Sequence, residues 1–162
     1  MSAPRLPSTP AVLMLRAAGV EYTPHFYNYE ARGGTAVSAR ELGVAEHAVV
    51  KTLIIQDDAA RPCIVLMHGD CEVSTKTLAR ILGVKRMEPC KPEVAERHTG
   101  YRVGGTSPFG TRRKMAVYLE KTVLNLARIY INGGSRGFLV GLPPQVIVSL
   151  LHPELVSVAI AP

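Results

Sequence analysis

Apolar and polar residues alternate in runs that divide the chain into short elements. Thr9-Pro10 sets a capping hydroxyl before the residue favoured at the first helical position. A helix is therefore predicted through Val12, Leu13 and Leu15, stopping at Gly19, and a second over Val37 to Leu42, closed by Gly43. Val49 to Ile55 and Cys63 to His68 are apolar runs of strand length, with Asp57-Asp58 opening the turn between them. Ser74 reads as the N-cap of a helix that turns Leu78, Ile81 and Leu82 inward and stops at Gly83. Val84 to Met87 reads as a short strand and Pro92 to Arg97 as a short helix. Met115 to Leu119, Arg128 to Ile131 and Phe138 to Val140 read as strands, with a turn over Asn132 to Gly137. Pro143 and Pro144 open a last helix, and Val156 to Ile160 closes the sheet. Strands and helices mix without a regular βαβ alternation. The expected fold class is α/β of the α+β type: a mixed sheet or partial barrel with helices packed outside it. No repeat, low-complexity tract or linker divides the chain, so residues 1–162 are expected to form one domain.

Composition narrows the function classes. Hydrophobic residues make up 47% and charged residues 20%, a globular rather than disordered balance. No apolar run approaches the roughly 18 residues of a membrane span, and Met1 to Pro10 contains no apolar signal core. No membrane partner is expected, and the expected address is cytoplasmic. Cys63, Cys71 and Cys90 are odd in number and form no C-x-x-C pair, which argues against a disulfide framework or a zinc site. His25, His47, His68, His98 and His152 have no ligand-spaced partners. Neither metal nor cofactor is expected. The net charge of +6 favours a polyanionic partner, and Arg112-Arg113-Lys114 is the densest basic cluster.

Three places could carry chemistry. Lys51 interrupts the apolar run Val49 to Ile55, where an ammonium costs desolvation energy unless it is paired or reaches solvent. It is either a snorkelling edge lysine or a cation placed to meet a phosphate or ribose oxygen. Gly104-Gly105-Thr106-Ser107-Pro108-Phe109-Gly110 is either a plain turn or a loop whose amides reach a developing oxyanion. Gly133-Gly134-Ser135-Arg136-Gly137 is a second glycine turn. There is no G-x-S-x-G elbow, H-E-x-x-H or P-loop.

Five segments, in order, resemble the YbaK family of Cys-tRNA(Pro) deacylases over roughly residues 9 to 158. They are His25-x-Tyr27, Lys51-Thr52-Leu53, Gly83-Val84-Lys85-x-Met87-Glu88, the loop Thr99-Gly100-Tyr101-x-Val103-Gly104-Gly105-x-Ser107-Pro108-x-Gly110, and Ile129-Tyr130-Ile131-x-Gly133-Gly134-x-Arg136-Gly137. The resemblance implies a curved mixed sheet surrounded by helices and removal of a wrong amino acid from the 3′ end of tRNA, with Cys-tRNA(Pro) as first-choice substrate. It implies catalytic roles for Lys51, at the terminal adenosine or its phosphate, and for backbone amides near Gly104 and Gly105, at the ester carbonyl. Tyr27, Thr52, Thr106, Ser107, Pro108, Asn132, Gly133, Gly134 and Arg136 would bind substrate, and Arg112, Arg113 and Lys114 would bind tRNA. No protein nucleophile is implied, because the substrate's own thiol would attack its ester. Prolyl-tRNA synthetase is the implied protein partner, and DNA is not. The sequence departs from the family at Gly34-Thr35-Ala36-Val37, in place of Phe-Gly-Asp-Glu. It also has Asn132 in place of a serine, and Leu139 in place of an acid. These changes leave two alternatives open: editing of Ala or another small amino acid on tRNA(Pro), and a non-catalytic RNA-binding or regulatory module on the same fold.

Overall fold

The computed structural model describes residues 6–162. Helix α1 (Pro10–Ala17) begins as the sequence predicts, with Thr9 Oγ1 accepting from the Val12 amide at 3.1 Å. Ala11, Val12 and Leu15 are buried beneath it. Strand β1 (Thr23–Phe26), α2 (Gly34–Leu42), β2 (Val49–Asp57), β3 (Pro62–His68) and β4 (Glu72–Val73) follow. Next come α3 (Thr75–Leu82), β5 (Met87–Pro89), α4 (Pro92–Thr99) and β6 (Ala116–Glu120). The chain ends with β7 (Ile129–Ser135), β8 (Phe138–Leu142), α5 (Gln145–Leu151), β9 (Glu154–Val156) and β10 (Ala159–Ile160).

The main sheet is mixed and open, in the order β1-β8-β7-β2-β3-β6-β9, with β5 added to β2. β2 and β3 form its antiparallel centre, from Val50 opposite His68 to Gln56 opposite Pro62. Asp57 closes that hairpin by accepting from the Ala59 and Arg61 amides and from Arg61 Nε. Val50, Ile54, Ile64 and Leu66 pack under α1 and α5 with Phe109, Leu119 and Phe138. Ile55, Val65 and Met67 face the other way, against Leu78 of α3 and Val156 and Val158 near the C-terminus. The period-2 pattern of β2 and β3 thus builds a core on each face.

Several boundaries differ from expectation, each for a local reason. β1 carries no apolar alternation because it is an edge strand, and Pro24 is tolerated there. β7 runs on to Ser135 through a bulge between Asn132 and Ser135, so only Arg136-Gly137 turns the chain. Ile81 is 47% exposed rather than inward, since Leu78 and Ala79 fill the buried face of α3. The predicted strand at Val84–Met87 lies later, at Met87–Pro89, where β2 offers pairing partners. The C-terminal segment does not form one strand of the sheet. β9 extends the β6 edge, and β10 pairs separately with β4.

Candidate active site

β2 has a partner along its whole length on the β3 side only. On its other edge, β7 pairs at Val49 and Val50, and β5 joins at Ile55 to Asp57. Residues 51–54 face the gap between them. A mostly apolar cavity of about 650 Å³ opens there, bounded by α2, the 27–33 connection before it, α4 and the Val103–Thr106 loop. The slot in the sheet explains why a lysine can stand inside an apolar strand.

Lys51 lines this cavity, half-buried, and its Nζ donates to the Gly69 carbonyl at 3.4 Å. No carboxylate pairs with it among the described residues. Thr52 lines the cavity as well, and its Oγ1 is buried without a hydrogen-bond partner among the described residues. Tyr27 forms part of the opposite wall, where burial raises the phenol pKa above its ordinary value. Cys90 also lines the cavity, a placement its sequence context does not signal, and burial pushes its thiol pKa up. Burial likewise pushes the Cys63 thiol up to about 12.

The long glycine loop divides by role. Gly104 and Thr106 line the cavity, and neither amide has an acceptor among the described residues. The Gly105 amide is already committed, donating to the Arg102 carbonyl at 2.8 Å. Gly105 instead lets the loop pack on β7: a Cβ there would lie 2.8 Å from the Arg136 nitrogen. Ser107 and Pro108 are buried away from the cavity, where Ser107 Oγ accepts from the Phe109 amide at 3.1 Å. Thr99 accepts from the Tyr101 amide, and the Tyr101 hydroxyl donates to the Phe109 carbonyl at 2.6 Å. Much of this loop's sequence therefore holds its shape.

The second glycine segment acts as a strap. Asn132 lines the cavity, and its Nδ2 donates to the Gly104 carbonyl at 3.2 Å. Its Oδ1 accepts from the Gly134 and Ser135 amides at 2.6 and 3.2 Å. Gly133 packs on Phe138, and Gly134 (φ +99°) on Tyr101 and Thr9. Arg136 is exposed and outside the cavity lining; its Nε donates to the Val103 carbonyl at 2.8 Å and its guanidinium lies 4.9 Å from the Tyr29 ring centroid. Arg112, Arg113 and Lys114 are exposed beyond α4, where the amides of Arg112 and Arg113 bond to the carbonyls of Thr99 and His98. The positions where the sequence departs from its resemblance converge on the cavity: Gly34, Thr35, Val37, Asn132 and Leu139 all line it.

Among the described residues, no helix is long and apolar enough to cross a membrane. Comparison with known proteins agrees with this architecture. Residues 31–150 match the model of the aminoacyl-tRNA editing domain. EbsC of Enterococcus faecalis, named as a candidate Cys-tRNA(Pro)/Cys-tRNA(Cys) deacylase, is 28% identical over 151 residues, which span 93% of this chain and 92% of EbsC. A proline–tRNA ligase of Nitratidesulfovibrio vulgaris is 34% identical over 79 residues, covering 49% of this chain and 14% of the ligase. The solved structure of hypothetical protein APE2540 superposes with a TM-score of 0.85 at 22% identity, covering 93% of this chain and 99% of its own. That of a candidate trans-editing enzyme for prolyl-tRNA synthetase superposes with a TM-score of 0.83 at 18% identity, covering 96% of this chain and all of its own. At these identities the two structures establish the shared fold.

Proposed function

Because the chain belongs to the aminoacyl-tRNA editing domain family, we propose that it is a free-standing aminoacyl-tRNA deacylase that removes Cys from Cys-tRNA(Pro). The observation that carries the reading is the slot along β2. Among the described residues it gathers a cation without a carboxylate partner, a buried hydroxyl without a partner and free loop amides around one apolar cavity. Those groups fit an aminoacylated 3′ terminus: Lys51 for a phosphate or ribose oxygen, Thr52 for a substrate polar atom, the Gly104 and Thr106 amides for the ester carbonyl. In this reading Asn132 and Arg136 hold the loop. The exposed Arg112, Arg113 and Lys114 meet tRNA phosphates, and prolyl-tRNA synthetase is the protein alongside which the enzyme works.

The chemistry needs no protein nucleophile. The substrate sulfur bonds to its own ester carbonyl carbon, the carbon–oxygen bond to the ribose breaks, and the ribose oxygen takes up a proton. The amino acid leaves as a cyclic thioester that water then opens. A free thiol, with a pKa of about 8.5, is partly ionised at neutral pH, and attack within one molecule gains from proximity. The protein's part is to orient the ester and stabilise the oxyanion.

A second reading, editing of Ala or another small amino acid, draws on the apolar wall to which Leu139 and Val37 contribute. Cys, Ser and Ala esters on one tRNA(Pro) separate the two. Substrate-thiol attack predicts cleavage of the Cys ester at least about tenfold faster than the others, since an alcohol is barely ionised at neutral pH. Equal rates for the three esters would refute it and favour attack by water.

A further inference from the structure

His47 stands far from Asp70 and Cys71 in the chain, and no metal-binding spacing links them. The β2–β3 hairpin brings them together. His47 lies in the 3₁₀ turn Glu46–Ala48 that leads into β2, and Asp70 and Cys71 lie in the turn that leaves β3. Since Val50 pairs with His68, the segments just before β2 and just after β3 are neighbours.

His47 Nδ1 lies 2.8 Å from Asp70 Oδ1, and Cys71 Sγ lies 3.5 Å from the same oxygen. The three ligand atoms are all within 4.8 Å of one another. A tetrahedral ion with bonds of about 2.0–2.3 Å needs its ligand atoms roughly 3.3–3.8 Å apart. A shift of about half an ångström in the His47–Asp70 pair reaches that spacing.

The His47 ring is also held from behind. It stacks on His68 with centroids 3.7 Å apart and planes within 8°. Both nitrogens of His68 are tied, Nδ1 to the His47 carbonyl at 2.8 Å and Nε2 to Thr122 Oγ1 at 2.7 Å. Thr122 in turn donates to Glu120, whose other oxygen accepts from the Val158 and Ala159 amides. These bonds fix the His68 ring, and the stack on it limits how the His47 ring can turn. The His47 and Asp70 side chains are 48% and 28% exposed, so the cluster opens to solvent.

We propose that His47, Asp70 and Cys71 form a binding site for a divalent cation of borderline softness, of which zinc is the type. Imidazole, carboxylate and thiolate together suit such an ion and not magnesium or calcium, which take oxygen ligands. Binding forms bonds from Nδ1, a carboxylate oxygen and Sγ to the ion. The S–H bond breaks, its proton goes to solvent, and the imidazole keeps its hydrogen on Nε2. Thiolate and carboxylate balance the two positive charges, and water takes the fourth position. None of the three residues lines the cavity. The same turn contains Gly69, whose carbonyl accepts from Lys51.

The test uses the full chain, stripped with a chelator and titrated with cobalt(II). One equivalent should produce a tetrahedral d–d envelope and a near-ultraviolet thiolate-to-cobalt charge-transfer band, both abolished by stoichiometric zinc. Cys71→Ser should lose the charge-transfer band, while a Cys63→Ala, Cys90→Ala protein keeps it. His47→Ala and Asp70→Asn, at solvent-open positions where folding is least at risk, should each weaken cobalt binding at least about tenfold. Absence of the band at excess cobalt overturns the site. So does a band that survives Cys71→Ser, which would mark adventitious coordination by another thiol. Unchanged cobalt affinity in both His47→Ala and Asp70→Asn would also overturn it, whatever the fate of the Cys71 variant.

Discussion

Thr52 buries a hydroxyl that has no hydrogen-bond partner among the described residues, and an unpaired buried hydroxyl costs about 1–3 kcal/mol. Its functional value can be separated from that cost. Thr52→Val keeps the shape and removes the polar atom, so it should stabilise the fold by about 1 kcal/mol, a rise of roughly 2–4 °C in Tm for a chain of this size. The same variant should lower kcat/KM, because the substrate loses its partner. A drop in Tm together with unchanged turnover would show that the hydroxyl serves the fold and not the substrate. Cys90 offers the opposite case. Its thiol lines the cavity, but burial raises its pKa, so at neutral pH it stays protonated and is a poor nucleophile. Cys90→Ala should therefore cleave Cys-tRNA(Pro) within about twofold of wild type, and loss of cleavage by the folded variant would point to a protein thiol. Lys51 could be singled out in the sequence because a charge in an apolar run is costly. Cys90 could not, because its position follows from where β5 meets β2, a long-range fact absent from its neighbourhood in the chain.

At the scale of elements, the two glycine segments work as one device. The strap from Asn132 holds the Gly104 carbonyl, and its Oδ1 supports the bulge of β7. Asn132→Asp keeps the acceptor and loses the donor. It should leave Tm within a few degrees of wild type while lowering kcat on the order of tenfold, because the loop amides lose their alignment. Asn132→Ala removes both functions and should in addition destabilise the protein by about 1–2 kcal/mol. If Asn132→Asp turned over at the wild-type rate, the strap would be structural only. The glycines of both segments stand out in the sequence, but their division of labour does not. Gly104, at φ +88° with a would-be Cβ 2.6 Å from the Tyr29 hydroxyl, faces the cavity, while Gly105 packs on β7. Only the fold distinguishes the two. The elements β2 and β3 are legible as unbroken apolar runs of strand length, and α1 and α3 from their capping hydroxyls and the glycines that stop them. β1 was not, since an edge strand exposed on much of its surface carries little of that pattern.

At the scale of the whole molecule, the +6 charge and the exposed Arg112, Arg113 and Lys114 predict a binding step governed by phosphate contacts. The affinity for tRNA should fall linearly in log–log form as salt rises, with a slope of roughly −0.7 to −0.9 per phosphate neutralised. Replacing the three residues with alanine should flatten that slope by about two to three contacts. An affinity independent of salt from 50 to 200 mM, roughly the range over which counterion release is large, would contradict a phosphate-dominated interface.

The cavity beside β2 is the proposed place of ester cleavage, and every role assigned to Lys51, Thr52 and the loop amides depends on it. The decisive measurement is single-turnover loss of the ester from Cys-tRNA(Pro), with wild-type protein and with Lys51→Ala whose folding has been verified by circular dichroism and thermal melting. Wild type should lose the ester rapidly, and Lys51→Ala should do so on the order of 10²-fold more slowly. Ester loss no faster than in buffer with wild type, or a folded Lys51→Ala protein that matches it, would contradict the account.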